Sequence, residues 1–340
     1  MGSPSNLLLR PMWPSGCQYP TCMTTVQLGE LAAIGTALLW TLSALAWTSA
    51  GKHIGTVALS FIRLVVAMLM LAVYGKLVRG LALPTDATPR TWLILASSGL
   101  MGFFVADLCL FKSFLLIGPR LSLLVLSLSP PIAALISWVF LSEALAARQW
   151  MAMAVTLGGI AWVVFEQQDS DKKPHERRGL RLGILLALAG AAGQAIGGVL
   201  SRHGIGDYDA AAATFIRILG GLAGYLVLIT LLGRWPQTLA ATGHRRAMFI
   251  LTLGALVGPF AGVVLCMVAF RHCQAGIVLT IIATMPVLIL PFSILLYREK
   301  VSLRAVSGAV ISVFGVAMLV APGEWWERVE IALKSLIAMH

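Results

Sequence analysis

Asp107 is the one carboxylate of this sequence that lies well inside an apolar run, while Glu30 and Glu166 fall at the ends of theirs. A charge in hydrocarbon is costly, so such residues usually face a partner, a ligand or a proton path. Two readings of Asp107 stand side by side: an acid that exchanges protons or meets a solute, and a structural ion pair with Lys112, Arg63 or Arg217. Arg63 and Arg217 each lie about two turns into their runs, deep enough to need a partner or a path for the side chain to the headgroups. They are read as structural first and as a grip on a solute carboxylate second. Trp40, Gln194, Phe103 and Phe104 are candidate lining for an apolar or aromatic solute, with plain packing as the competing reading.

Catalytic and metal chemistry has little to stand on. The six histidines lie in connections, at run ends or in the tail, and the five cysteines show no CxxC and no pairing pattern. There is no phosphate-cradling glycine loop and no nucleophile motif. The sequence therefore predicts no metal, no cofactor and no catalytic residue.

Other residues point to the shape of the elements. Pro130 and Pro131 interrupt one apolar run, and Pro286 and Pro291 interrupt another. A proline removes a backbone hydrogen bond that hydrocarbon cannot replace, so these helix breaks are expected to line a cavity and to bend. Glu143 and Glu299 follow the same two runs, where a carboxylate complements the start of the next helix, so each is expected to cap a turn. A gate contact is the second reading for them. The many glycines, among them Gly102, Gly159, Gly197, Gly220 and Gly258, are read as points of close helix approach.

The elements that must position these residues are membrane helices. Hydrophobic residues make up 59% of the 340 and charged ones 11%, and the mean hydropathy is +0.89, far too apolar for a soluble domain of this length. A transmembrane helix needs roughly 20 apolar residues. The chain offers about ten such runs, at 27–50, 56–76, 92–114, 120–141, 147–165, 182–202, 210–232, 247–270, 275–297 and 302–321. The net charge of +11 lies in short connections beside these runs, which explains it without nucleic acid.

The runs repeat. Pro130, Ser137, Glu143, Arg148 and Gly159 return in register as Pro286, Ser293, Glu299, Arg304 and Gly315. Gly102, Phe104 and Phe114 return as Gly258, Phe260 and Phe270, and Phe61-Ile62-Arg63 returns as Phe215-Ile216-Arg217. At the ends of the first and sixth runs, Lys52-His53 is matched with Arg202-His203. Asp107 has no such echo, because its equivalent is Val263. Residues 27–165 and 182–321 thus form two five-helix repeats, joined by the charged linker 166–181. An odd number of spans inverts the second repeat in the bilayer, the plan of secondary transporters that rock about a midplane site.

The ends are predicted to be an extension over 1–26, with Met23 an alternative start, and a tail over 322–340 that lies as a short amphipathic helix in the interface. Orientation stays open. Nine Lys or Arg lie on the N-terminal side and fourteen opposite, which places the N-terminus outside, while the first half alone argues the reverse.

The two hairpins LSPPIAALISWVFLSEALAARQW and MPVLILPFSILLYREKVSLRAV, with their matched prolines and glutamates, resemble the EamA family of the drug/metabolite transporter superfamily. The likeness covers nearly all of 27–321. It implies an all-α integral membrane protein of ten transmembrane helices in two inverted repeats, multi-pass in the plasma membrane (a bacterial inner membrane). It implies a secondary transporter, an exporter of small organic metabolites such as amino acids or amphipathic drugs, working by alternating access around a central cavity. A monomer suffices because one chain holds both halves, with a dimer left open, and protons are a candidate driving ion. The competing classes are a membrane-embedded lipid-modifying enzyme and a transporter-like sensor.

Overall fold

The computed structural model describes residues 19–143, 145–166, 177–285, 287–288 and 303–320. Among them every regular element is helical: α1 (Tyr19–Ile54), α2 (Thr56–Arg79), α3 (Pro89–Gly99), α4 (Ala106–Leu126), α5 (Ser129–Leu141), α6 (Ala147–Glu166), α7 (Arg177–Ile205), α8 (Ala210–Leu231), α9 (Trp235–Ala241), α10 (Arg245–Ala255), α11 (Val263–His272), α12 (Ala275–Ile282) and α13 (Leu303–Val320). The tail helix expected over 322–340, together with Pro286, Pro291 and Glu299, lies outside the described residues.

Among the described residues six stretches are long and apolar enough to cross a membrane: Thr25–Ala44, Val57–Arg79, Pro89–Ser113, Gly179–Ile205, Ala210–Leu231 and Arg245–His272. Shorter apolar helices cover Ser129–Leu141 and Val306–Leu319. The helices also outrun the expected spans. α1 begins at Tyr19 rather than at 27, since a helix can continue into water where a hydropathy count stops seeing it. Residues 106–126 are helical without interruption, yet Ser113 and Ser122 bring their hydroxyl oxygens within 2.6 Å. Nine residues along a straight helix span about 13 Å, so α4 folds back on itself between the two serines. The expected boundary between the third and fourth spans falls between those two serines, inside one helix.

Two local features recur at equivalent places. A π-helical turn covers Leu100–Val105 between α3 and α4, and another covers Leu256–Gly262 between α10 and α11. The α-helix is interrupted at Ser127 and Leu128, ahead of Pro130, and again at Ala283 and Thr284. Pro130 and Pro131 then occupy the first turn of α5, where a missing N–H costs no bond because that donor would be an orphan anyway.

The halves hold each other by exchanged contacts. Gly159 of α6 lies so close to α13 that an added Cβ would meet Ser312 N at 2.5 Å, and Gly315 of α13 meets Thr156 N at the same distance. The Ser98 hydroxyl donates to the Gly197 carbonyl at 2.8 Å, and the Ser43 hydroxyl donates to the Gly254 carbonyl at 3.1 Å. The register that carries Phe61 to Phe215 therefore also carries Ser43 to Gly197 and Trp40 to Gln194, so the Lys52/Arg202 match belongs to a different alignment of the first and sixth runs. α8 lies at the centre of the bundle, packed on α2, α3 and the first π-turn. Gly99 and Gly220 have no room for a side chain: a Cβ there would come 1.7 Å from the Arg217 carbonyl and 2.0 Å from that of Ala96.

Candidate solute site

The broken helices face one another. α5, which follows the first break, packs on α12, which precedes the second, and Gly276 brings its backbone against Ala134. Around them the two π-turns each receive a side chain from the opposite half. Gln194 of α7 reaches the Leu100–Val105 turn at Gly102, and the Trp40 indole of α1 lies on Gly262 at the end of the second turn. A π-turn inserts one residue into the helix and re-aims the side chains after it. Asp107 and Val263 come just after these turns.

The two deep arginines then part company. Arg63 of α2 makes a buried ion pair with Asp107, its Nη2 on the carboxylate Oδ2. Of the three partners considered for Asp107, the structure selects Arg63. Arg217 of α8 is equally buried, at 5% exposure, and no carboxylate oxygen lies within ion-pair distance of it among the described residues. Its Nη1 donates to the thioether sulfur of Met267 at 3.2 Å, its guanidinium carbon stands 4.9 Å from the centre of the Phe103 ring, and its Nε has no hydrogen-bond partner. Lys112 is exposed and joins neither group.

Glu143 follows α5 as expected, but its carboxylate does not cap the next helix. It meets Arg202 of α7 at 3.2 Å, an ion pair between the two halves. The start of α6 is served by Gln149, whose side-chain oxygen accepts from the Ala146 N–H at 2.8 Å. At the same end of the bundle Arg79 pairs with Asp86 and approaches Asp209 at 3.7 Å. The Tyr208 hydroxyl donates to Asp86 at 2.9 Å, and Arg271 donates to the Tyr208 carbonyl. Desolvation pulls the Asp86 carboxyl up, but the hydrogen bond from Tyr208, its own backbone N–H and Arg79 outweigh it and hold the group below its ordinary 3.8. Burial, and then the bond to Asp86, push the Tyr208 phenol up to about 12.

Of the residues singled out by sequence, the structure brings together Arg63 with Asp107 and Arg217 with Gln194 and Phe103. Phe104 instead packs edge-on against Tyr225, ring centres 5.2 Å apart, which is core packing. Two contributors were not anticipated, Met267 and Arg202. Met267 had a signal, because it lies one turn beyond Val263, the position already known to lack the acid.

A duplicated helical bundle with charges buried between apolar helices and helices broken in mid-run is a membrane protein of the transporter class. The chain belongs to the EamA-like transporter family, whose model matches residues 27–165 and again 181–321. A solved structure described only as the crystal structure of a protein has the same fold, with a TM-score of 0.66 over 86% of this chain and 96% of its own at 19% identity. No curated protein matches the chain in sequence.

Proposed function

We propose that this chain is a secondary transporter that exports small organic metabolites by alternating access, with ten transmembrane helices in two inverted five-helix repeats in the plasma membrane. The observation that carries this reading is the repeated break, at Ser127–Leu128 and at Ala283–Thr284. At both breaks the helix gives way to a turn, with Leu128 N donating to the Val125 carbonyl and Thr284 N to the Ile281 carbonyl, and transporters place their solute sites at such discontinuous helices. The exchanged contacts Gly159/Ser312 and Gly315/Thr156 supply a two-fold interface about which similar bundles can rock. The Glu143–Arg202 pair and the Arg79–Asp86–Tyr208 cluster hold one end of the bundle closed in this arrangement.

The test is flux through proteoliposomes of the full chain, with a mixture of amino acids and amphipathic drugs read by mass spectrometry, with and without an imposed pH gradient. Protein-dependent movement of at least one solute is expected. Absence of flux for every solute class would sink the transport reading. Gradient dependence that disappears when Arg63→Gln and Asp107→Asn are made together would assign protons as the driving ion and the pair as their site.

A further inference from the structure

Arg217 is a permanently charged group held where charge is expensive, and among the described residues no carboxylate pairs with it. An arginine keeps its proton under all ordinary conditions, and intramembrane charges nearly always have a partner. The first half shows a charge-paired arginine at this place, with Asp107 on Arg63. In the second half the equivalent of Asp107 is Val263, which is apolar and buried. Arg217 is left with a thioether, the face of an aromatic ring and the thiol of Cys266 as its neighbours. None of these carries a full negative charge in its ordinary form.

A second observation comes from Gly102. The point where its side chain would begin lies 3.4 Å from Gln194 Oε1, 3.5 Å from Arg217 Nη2 and 4.0 Å from Gly197 Cα, ordinary contact distances. Gly102 thus lets a guanidinium and a carboxamide converge on the first π-turn, with the Phe103 ring beside the guanidinium. One cation and one neutral amide suit a monoanion with two oxygens, since a guanidinium binds a carboxylate through paired N–H groups. A phosphate dianion would call for more positive charge than this pair provides.

We propose that Arg217 is the anion-recognition residue of this transporter, with Gln194 and Phe103 flanking it, and that the transported solute carries a carboxylate. The proposal rests on the transporter reading for its consequence, and on the unpaired cation for its chemistry. The bound carboxylate neutralises Arg217 as Asp107 neutralises Arg63.

The experiment uses the detergent-purified full chain and two matched panels: amino acids and aromatic and aliphatic monocarboxylates, each against its own amide. Thermal stabilisation reports binding and proteoliposome flux reports transport. At least one carboxylate is expected to raise Tm and to move, while its amide does neither. Arg217→Gln is expected to weaken that response by about 10- to 100-fold, with Arg217→Lys retaining part of it. Val263→Asp, one turn from Met267 on the same face of α11, is expected to give Arg217 an internal partner. It should abolish carboxylate binding while the protein stays folded. This variant and Gln194→Leu keep the test open if Arg217→Gln fails to fold. Carboxylate binding that depends on Arg217 without any flux would sustain the anion site and end the transport reading. Equal responses to acids and amides, a carboxylate response that survives Val263→Asp, or no response to any carboxylate would overturn the proposal.

Discussion

The two halves place an arginine at the same depth of the same span and then treat it differently. In the first half Arg63 is closed by Asp107, a pair that is neutral as a unit. In the second, Arg217 meets Met267 and Phe103 and no carboxylate among the described residues. The π-turn and the helix break recur in both halves, whereas Gly99 and Gly220, which bring α3 and α8 together, have Ala255 and Val66 at the equivalent places. The difference is therefore a change of chemistry inside a largely repeated frame. A duplicated bundle can devote one copy of a polar position to holding itself together and leave the other to a ligand.

The sharpest way to break this comparison is to remove each charge in turn. Asp107→Asn leaves Arg63 buried without its partner and is expected to destabilise the protein by about 3–5 kcal/mol, read as loss of monomer on detergent size exclusion or a large fall in Tm. Adding Arg63→Gln is expected to restore most of that loss. Arg217→Gln has no such partner to strand, so its cost should be far smaller, and it should not be rescued by any change at Asp107. Equal costs for the two arginines would mean that Arg217 is structural as well.

The frame itself can be tested at the glycines, with an effect of intermediate size. Gly159→Ala and Gly315→Ala each push a Cβ to about the same distance from the facing backbone, and overpacking of this kind costs about 1–3 kcal/mol. Gly158, the neighbour of Gly159, has open space around its missing Cβ. Gly158→Ala should therefore gain a few tenths to about 1 kcal/mol of helix propensity. If Gly159→Ala and Gly315→Ala differ strongly in Tm, the two-fold exchange of contacts does not carry the interface equally.

Much of this frame was legible in the sequence, because it is written in residues with covalent or steric consequences. Pro130 announces the helix break just ahead of it, and glycines at 159 and 315 announce where helices touch. The missing acid at Val263 was also legible, although its meaning needed the Arg63–Asp107 contact. The π-turns were not legible, since one extra residue in an apolar run changes no composition and only shifts the phase of a periodicity already blurred by apolar residues on every face. Helix limits were missed for a related reason: hydropathy marks the hydrocarbon, and α1 continues outside it. Glu143 shows the limit of local reasoning. Its place after a helix suggested a cap, while its partner Arg202 comes from the other half of the chain and only folding reveals it.

The smallest expected effect concerns the two ends of the bundle, which differ as the two arginines do. One end joins the halves through Arg79, Asp86, Tyr208 and Asp209, while an apolar group of Ile54, Ala58, Leu59, Ala241 and Ala247 lies between them elsewhere. Only the polar end should answer to pH. The folded state holds Asp86 below its ordinary 3.8. Its contribution is therefore complete above that value and is lost as pH falls through the lower, folded value. The Tyr208 phenol, pushed up to about 12 from 10.0, stays protonated in the folded chain where the unfolded chain ionises. Stability should therefore also decline as pH rises from 10 toward 12. The Asp86 side chain is 40% exposed, so solvent screening keeps the acid effect below about 1 kcal/mol. In a Tm series against pH, Tyr208→Phe is expected to flatten the alkaline limb and blunt the acid one, whereas Ile54→Val should lower Tm by a similar amount at every pH. An acid limb unchanged in both Tyr208→Phe and Asp86→Asn would remove the polar junction from the account and place the pH response among other carboxylates.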